Sequence, residues 1–212
     1  MKELSKKEID SLKTVSLACL KNSSEFLRDA DLLNQQGSHG HATALAIIAL
    51  EELAKAQIYY MSAYNLIEIT PIIKKTLNDH TKKYKYLAGL DFVYYYVKQL
   101  SQSADTTKMS SKEIMDFIIE KTEKSKDDST EEFKVLKRSE SEFGKLREIR
   151  ESALYVELKE TEIHTPYFFN PGDSNKILQY AKNLFNSLGG IYYDSYADKP
   201  EFVEYLKNYT EK

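Results

Sequence analysis

The stretch His41–Ala56, HATALAIIALEELAKA, decides the fold of this 212-residue chain. Eleven of its sixteen positions are Ala, Ile or Leu, so neither a two-residue alternation nor a narrow helical stripe can be drawn on it. Ala and Leu are strong helix formers, and a helix that is apolar all round has to be covered on most of its sides. The stretch therefore reads as the central helix of a bundle, running from His41 to about Tyr64.

The neighbouring segments supply what covers it. Upstream, Ser5 and Glu8 have capping-box spacing, in which each side chain satisfies the other's orphan backbone N–H, and a helix is predicted from there to about Gln35. Gly37-Ser38-His39-Gly40 breaks it. Downstream, Thr70-Pro71 offers a cap and a first-turn proline, opening a third helix to about Gln102. Between Ser101 and Glu132 the composition turns to Ser, Thr, Lys, Asp and Glu. One short amphipathic piece (Ile114, Phe117, Ile118) follows a second capping box, Ser110 to Glu113, and the run EKTEKSKDDSTEE reads as a mobile charged loop. Ser129 to Glu132 repeats the capping spacing and launches a fourth helix through about Leu154.

LYVELKETEIHTPYFFNPGD is then a non-helical connection with a turn at Asn170-Pro171-Gly172-Asp173. Asp173 or Ser174 caps a fifth helix to about Tyr196, and Pro200 precedes a short terminal helix, Glu201 to about Tyr209. No internal repeat or linker interrupts the pattern. The fold expected is all-α: one domain over residues 1–212, an antiparallel bundle of four or five helices with a charged insertion at 101–132.

Composition narrows the function. With 42% hydrophobic residues, 30% charged, 7 Gly and 4 Pro, the chain is too apolar for general disorder. Lys+Arg 30 against Asp+Glu 33 leaves a net charge of −3, so any contact with nucleic acid must be a local patch. The lone Cys19 rules out an internal disulfide and a cysteine zinc site, which favours a reducing compartment, the cytoplasm. The start, MKELSKKEIDSLK, is charged where a signal peptide would be apolar, and no apolar run nears the roughly 18 residues of a membrane span. A cytoplasmic protein without membrane contact is expected. There is no P-loop, GxGxxG, GxSxG or His-Glu-x-x-His, and no Glu-x-x-His pair for a di-metal site. No cofactor or metal is expected, which leaves metal-independent acid–base chemistry.

The informative residues are charged ones on apolar stripes. Ile73, Leu77, His80, Tyr84, Leu87 and Tyr94 share heptad-like spacing, which turns His80 toward the core or a cleft, and Asp91 interrupts the same stripe. Leu136, Phe143, Arg147, Arg150 and Leu154 fall within about 40° of one line on a continuous helix, placing two guanidinium groups side by side. Glu51 and Glu52 sit in the apolar central helix with Lys55 one turn beyond. A buried charge needs a partner, so one reading has these glutamates and arginines pairing across helices. The other has Arg147 and Arg150 holding a phosphate, with His80 shuttling a proton and Glu51 or Glu52 orienting one of them. Lys74, Lys75, Lys82, Lys83 and Lys85 around Tyr84 and Tyr86 fit either an RNA-binding face or a solvated one. Lys55, Lys83 and Tyr155 complete the candidate binding set. His39 and His41, beside two glycines, read as part of an exposed loop.

Three blocks carry a resemblance: HATALAIIALEELAKA (His41–Ala56), DHTKKYKYL (Asp79–Leu87), and KLREIRESALYVEL (Lys145–Leu158) followed by HTP (His164–Pro166). In that order and spacing the sequence resembles the abortive-infection AbiV group of HEPN domains. The resemblance implies a helical bundle that commonly dimerises, and, since many HEPN domains are metal-independent ribonucleases, an anti-phage role through RNA damage or translation shut-down. A homodimer, an RNA or ribosome-associated target and a phage protein as activator are the partners it implies; a non-catalytic dimeric sensor that binds a phage or host protein is the alternative. Active HEPN ribonucleases usually carry an arginine followed within about two helical turns by a histidine. Here Arg28 precedes His39 by eleven positions and Arg150 precedes His164 by fourteen. The resemblance therefore places Arg147 or Arg150 in the arginine's role, with Tyr155 or a distant histidine such as His80 as its partner.

Overall fold

A computed structural model describes residues 4–64, 71–103, 111–155, 157–159, 162–166 and 169–195. The described helices are α1 (Lys6–Gln35), α2 (His39–Ala63), α3 (Pro71–Asn78), α4 (His80–Ser103), α5 (Ser111–Lys124), α6 (Glu131–Gly144), α7 (Leu146–Leu154) and α8 (Pro171–Ser195). The fold is all-α apart from one ribbon in the connection after α7, where β1 (Glu157–Lys159) pairs antiparallel with β2 (Glu162–His164) and Leu158 faces Ile163. The chain forms two compact units, one of residues 1–80 and 147–212, the other of residues 81–146.

In the first unit α1 runs along α2, and α8 packs against both. The capping box that opens α1 is complete: the Glu8 N–H donates to Ser5 Oγ (3.3 Å) and the Ser5 N–H to Glu8 Oε2 (2.8 Å). At its other end Gly37 adopts φ 80°, and the N–H groups of Ser38 and Gly37 reach back to the carbonyls of Leu33 (2.9 Å) and Asn34 (3.1 Å). That is a Schellman closure, which requires a left-handed residue where a side chain would clash. The reversal makes α1 and α2 antiparallel neighbours, held at close range by small side chains. Ser16 Oγ donates to the Ala56 carbonyl (2.8 Å), and Ser23 Oγ, seven residues on, donates to that of Ala49 (2.7 Å). Leu20, Leu27, Ile47, Leu50, Leu53, Ile58, Leu184 and Phe185 fill the space beside that seam. Burying each such side chain contributes roughly 1.5–3 kcal/mol, and α2 is buried along most of its length.

α2 starts at His39, two residues before the expected His41. His39 and His41 therefore lie in a helical turn, where His39 Nδ1 meets Asn34 Oδ1 (2.8 Å) and His41 Nδ1 meets Ser38 Oγ (3.0 Å), and the exposed-loop reading of both is corrected. Gly40 sits in that turn because the backbone of Pro166 lies against it: a Cβ there would come within 2.4 Å of the Pro166 carbonyl oxygen.

In the second unit α4, α5 and α6 share a core of Phe92, Tyr96 and Val135, flanked by Val93, Phe117, Ile118 and Leu136. Its polar groups are paired. Ser139 Oγ donates to Asp91 Oδ2 (2.6 Å), which accounts for the aspartate on an apolar stripe. Lys121 lies over the rings of Tyr96 and Phe117 and donates to Glu132 Oε1 (2.8 Å), holding that carboxyl below the usual carboxylate range.

Several boundaries differ from expectation for local reasons. The third helix is two, broken at Asp79 between α3 and α4, and the fourth is two, broken at Lys145 between α6 and α7. The run from Glu120 is helical through Lys124, and only residues 125–130 form a turn. α6 is capped by Thr130, whose Oγ1 accepts from the Phe133 N–H (3.2 Å), while Ser129 is taken by Asp127 (2.7 Å). α8 begins at Pro171 rather than behind Asp173 or Ser174, with Asn170 Oδ1 accepting from the Gly172 N–H (2.7 Å). Ser110 and the expected terminal helix at Glu201–Tyr209 lie outside the described residues.

Candidate functional site

Three ionisable side chains of the first unit meet at one point. Glu51 belongs to α2 and is 3% exposed, so its carboxylate needs partners that replace water. Arg150, on α7, donates from Nη1 to Glu51 Oε1 at 2.9 Å. His80, the first residue of α4, brings Nδ1 to 2.5 Å from Glu51 Oε2. Arg150 Nη1 also lies 3.0 Å from that same His80 Nδ1, which closes a triangle.

Helix breaks set this geometry. Because α3 ends at Asn78 and α4 restarts after Asp79, His80 occupies a helix start rather than the middle of a long rod. Lys145 interrupts the next helix for one residue, itself at φ −78° and ψ −18°, and Arg147 and Arg150 both belong to α7. Three positions apart on that helix, the two arginines have different partners. Arg150 is 15% exposed and points to Glu51, whereas Arg147 is 59% exposed and pairs with Glu151 one turn along α7 (3.0 Å).

Exposure within the triangle is graded. The Glu51 and Arg150 side chains are covered and the His80 side chain is 47% exposed, so the imidazole stands between the buried ion pair and solvent. Arg150 Nε is buried without a hydrogen-bond partner among the described residues. A half-exposed imidazole backed by a buried carboxylate can give and take a proton, and a guanidinium beside it adds positive charge where an anion would approach.

The remaining candidates lie elsewhere. Glu52, one residue and about 100° from Glu51, pairs with Lys55 and hydrogen-bonds the Cys19 thiol of α1. Burial, with Glu52 adding to it, pushes the Cys19 thiol up to about 11. Burial is the largest influence and works against the Lys55 charge, but the Glu52 hydrogen bond and the negative charges around it together hold Lys55 above its ordinary range. Lys83 and Tyr84 are buried in α4 while Lys74, Lys75 and Lys85 are exposed, so the lysine–tyrosine cluster is not one continuous face. Tyr155 is 59% exposed just past α7. What sequence reasoning missed is the seat of the HTP segment on Gly40, for which a glycine in a helix's first turn was the available signal.

The all-α fold is that of a HEPN domain. The AbiV family model of HEPN domains matches residues 11–186, and the chain belongs to that family, the abortive-infection group. No curated protein and no solved structure matches it. Among the described residues no helix is long and apolar enough to cross a membrane.

Proposed function

We propose that this AbiV-family protein acts on RNA during phage infection, with His80 as the acid–base group and the positive charge of Arg150 and Arg147 beside it. The observation that supports this most is the triangle itself: a histidine and an arginine far apart in sequence come within 3.0 Å, in place of the linear arginine–histidine motif that the chain lacks. RNA carries its own nucleophile, the 2′-hydroxyl, so an acid–base pair and charge stabilisation suffice for strand cleavage. Arg147, 59% exposed and paired with Glu151 at the surface, stands where a phosphate approaching α7 would meet it. Loss of RNA would shut down translation, and a homodimer would present two such sites.

The test is cleavage of total RNA by purified protein in EDTA. His80→Ala is expected to lower the rate about 10²–10⁴-fold, the usual contribution of a general acid–base group. Cleavage undiminished in His80→Ala would overturn the assignment.

A second reading also has an observation behind it. The Glu51 carboxylate is occupied on both oxygens, as a clasp that joins α2 to His80 and to α7 requires. On that reading the protein is a non-catalytic sensor that binds a phage or host protein. Phage challenge separates the two: if His80→Ala lowers the melting temperature but leaves defence intact, His80 serves the clasp and not catalysis.

A further inference from the structure

His80 Nδ1 has two neighbours that make opposite demands on it. Arg150 Nη1, at 3.0 Å, is a donor under all ordinary conditions; an ionised Glu51, with Oε2 at 2.5 Å, only accepts. One ring nitrogen cannot serve both. If Nδ1 were bare and accepted from the guanidinium, its lone pair would face a carboxylate oxygen at hydrogen-bond distance, on a carboxylate whose other oxygen already accepts from Arg150. If Nδ1 carries the proton, it donates to Oε2 along the shorter contact, Arg150 donates to Oε1, and every charge has its complement. The guanidinium then meets the ring through the carboxylate they share.

We propose that Glu51 and Arg150 are positioning residues, which hold His80 in the Nδ1–H tautomer and leave Nε2 as the atom that exchanges a proton with the substrate. This rests on the RNA-acting reading only for the identity of that substrate. The order of action runs outward: Arg150 fixes the rotamer and charge of Glu51, Glu51 fixes the imidazole, and the half-exposed ring carries Nε2, for which no partner stands among the described residues. Arg150 thereby has a different task from Arg147, which lies one turn away, exposed and paired with Glu151. A histidine in water prefers the opposite tautomer, with the proton on Nε2, so the assignment is a departure that spectroscopy can see.

Long-range proton–nitrogen correlation spectra of the whole protein, taken where the ring is neutral and with the His80 signals identified by their loss in His80→Gln, decide it. The wild type is expected to show Nδ1 protonated and Nε2 bare. In Glu51→Gln, whose carboxamide can donate as well as accept, the Nε2–H form should gain population, and Arg150→Lys, which keeps a charge on Glu51, should retain most of the wild-type pattern. If RNA is cleaved, Glu51→Gln should lower kcat with KM little changed. An Nε2–H ring in the wild type overturns the inference whatever the cleavage assay gives. An Nδ1–H ring in a protein that cleaves no RNA upholds the tautomer and removes the ribonuclease reading instead, so the two failures cannot be confused.

Discussion

The Arg150 guanidinium on α7 meets the Glu51 carboxylate on α2 at 2.9 Å, with a separation of 99 positions in the chain and with neither side chain more than 15% exposed. A buried pair of this kind returns little net stability over a packed apolar pair, because both ions had to be desolvated, but removing one member leaves the other stranded. Arg150→Met is therefore expected to cost about 3–5 kcal/mol in urea denaturation, and Arg150→Met combined with Glu51→Leu to recover most of it. A double variant no more stable than the single one would show that the charges are not what couples the two helices.

Gly40 predicts a loss and Gly89 a gain. A methyl group at Gly40 would lie 2.4 Å from the Pro166 carbonyl oxygen and 2.7 Å from its Cα, and backbone cannot swing aside as a side-chain tip can. Gly40→Ala should cost about 2 kcal/mol, a fall of roughly 4–8 °C in Tm. Gly89, inside α4, has nothing within 4 Å of its Cβ position, and Gly89→Ala should gain about 0.5–1 kcal/mol from helix propensity alone. Equal melting points for the two variants would contradict the docking of the HTP segment on α2.

Much of this architecture could be read from residue order, and the exceptions have physical causes. The capping box at Ser5 and Glu8 was legible because both halves of the signal are local. The apolar surround of α2 was legible because a helix with no polar face has one destiny. The helix breaks at Asp79 and Lys145 were not, since neither position carries a proline or a left-handed glycine and the apolar spacing continues across each. The break at Asp79 puts His80 at the start of α4, while the roughly 100° between neighbouring residues of one helix sets Glu51 apart from Glu52, and three positions on α7 separate Arg150 from Arg147. The candidate residue types were visible; which member of each pair belonged to the cluster depended on geometry no single helix contains.

Cys19 gives a pH-dependent prediction. Burial first and the Glu52 charge second raise its thiol to about 11, so at pH 8 roughly one molecule in a thousand carries the thiolate, the form that reacts. Iodoacetamide should label the folded protein far more slowly than the urea-unfolded chain, and Glu52→Gln should speed labelling by removing one of the raising influences. The linkage has a definite sign. A thiol that ionises at lower pH when unfolded than when folded favours the native state below the unfolded value, and that contribution is lost as pH climbs through about 11. Urea midpoints followed between pH 8 and 11 should fall, and fall less in Cys19→Ser.

Ser23 tests how the α1–α2 seam is held. Its hydroxyl is fully buried and donates to the Ala49 carbonyl at 2.7 Å, an oxygen that α2 also uses in its own ladder. Ser23→Ala removes the donor without leaving that carbonyl bare, because the helical bond remains, so the cost should be about 1 kcal/mol. Ser23→Leu has to push apart two backbones that small residues hold close, and overpacking at a site with no room should cost about 1–3 kcal/mol more. The same pair of changes at Ser16, whose hydroxyl donates to Ala56 at 2.8 Å, should repeat the order. Thermal melts of the four variants measure it. If leucine were tolerated as well as alanine at both positions, the close approach of α1 to α2 would not be what sets their packing, and the two serines would be serving only as polar fillers.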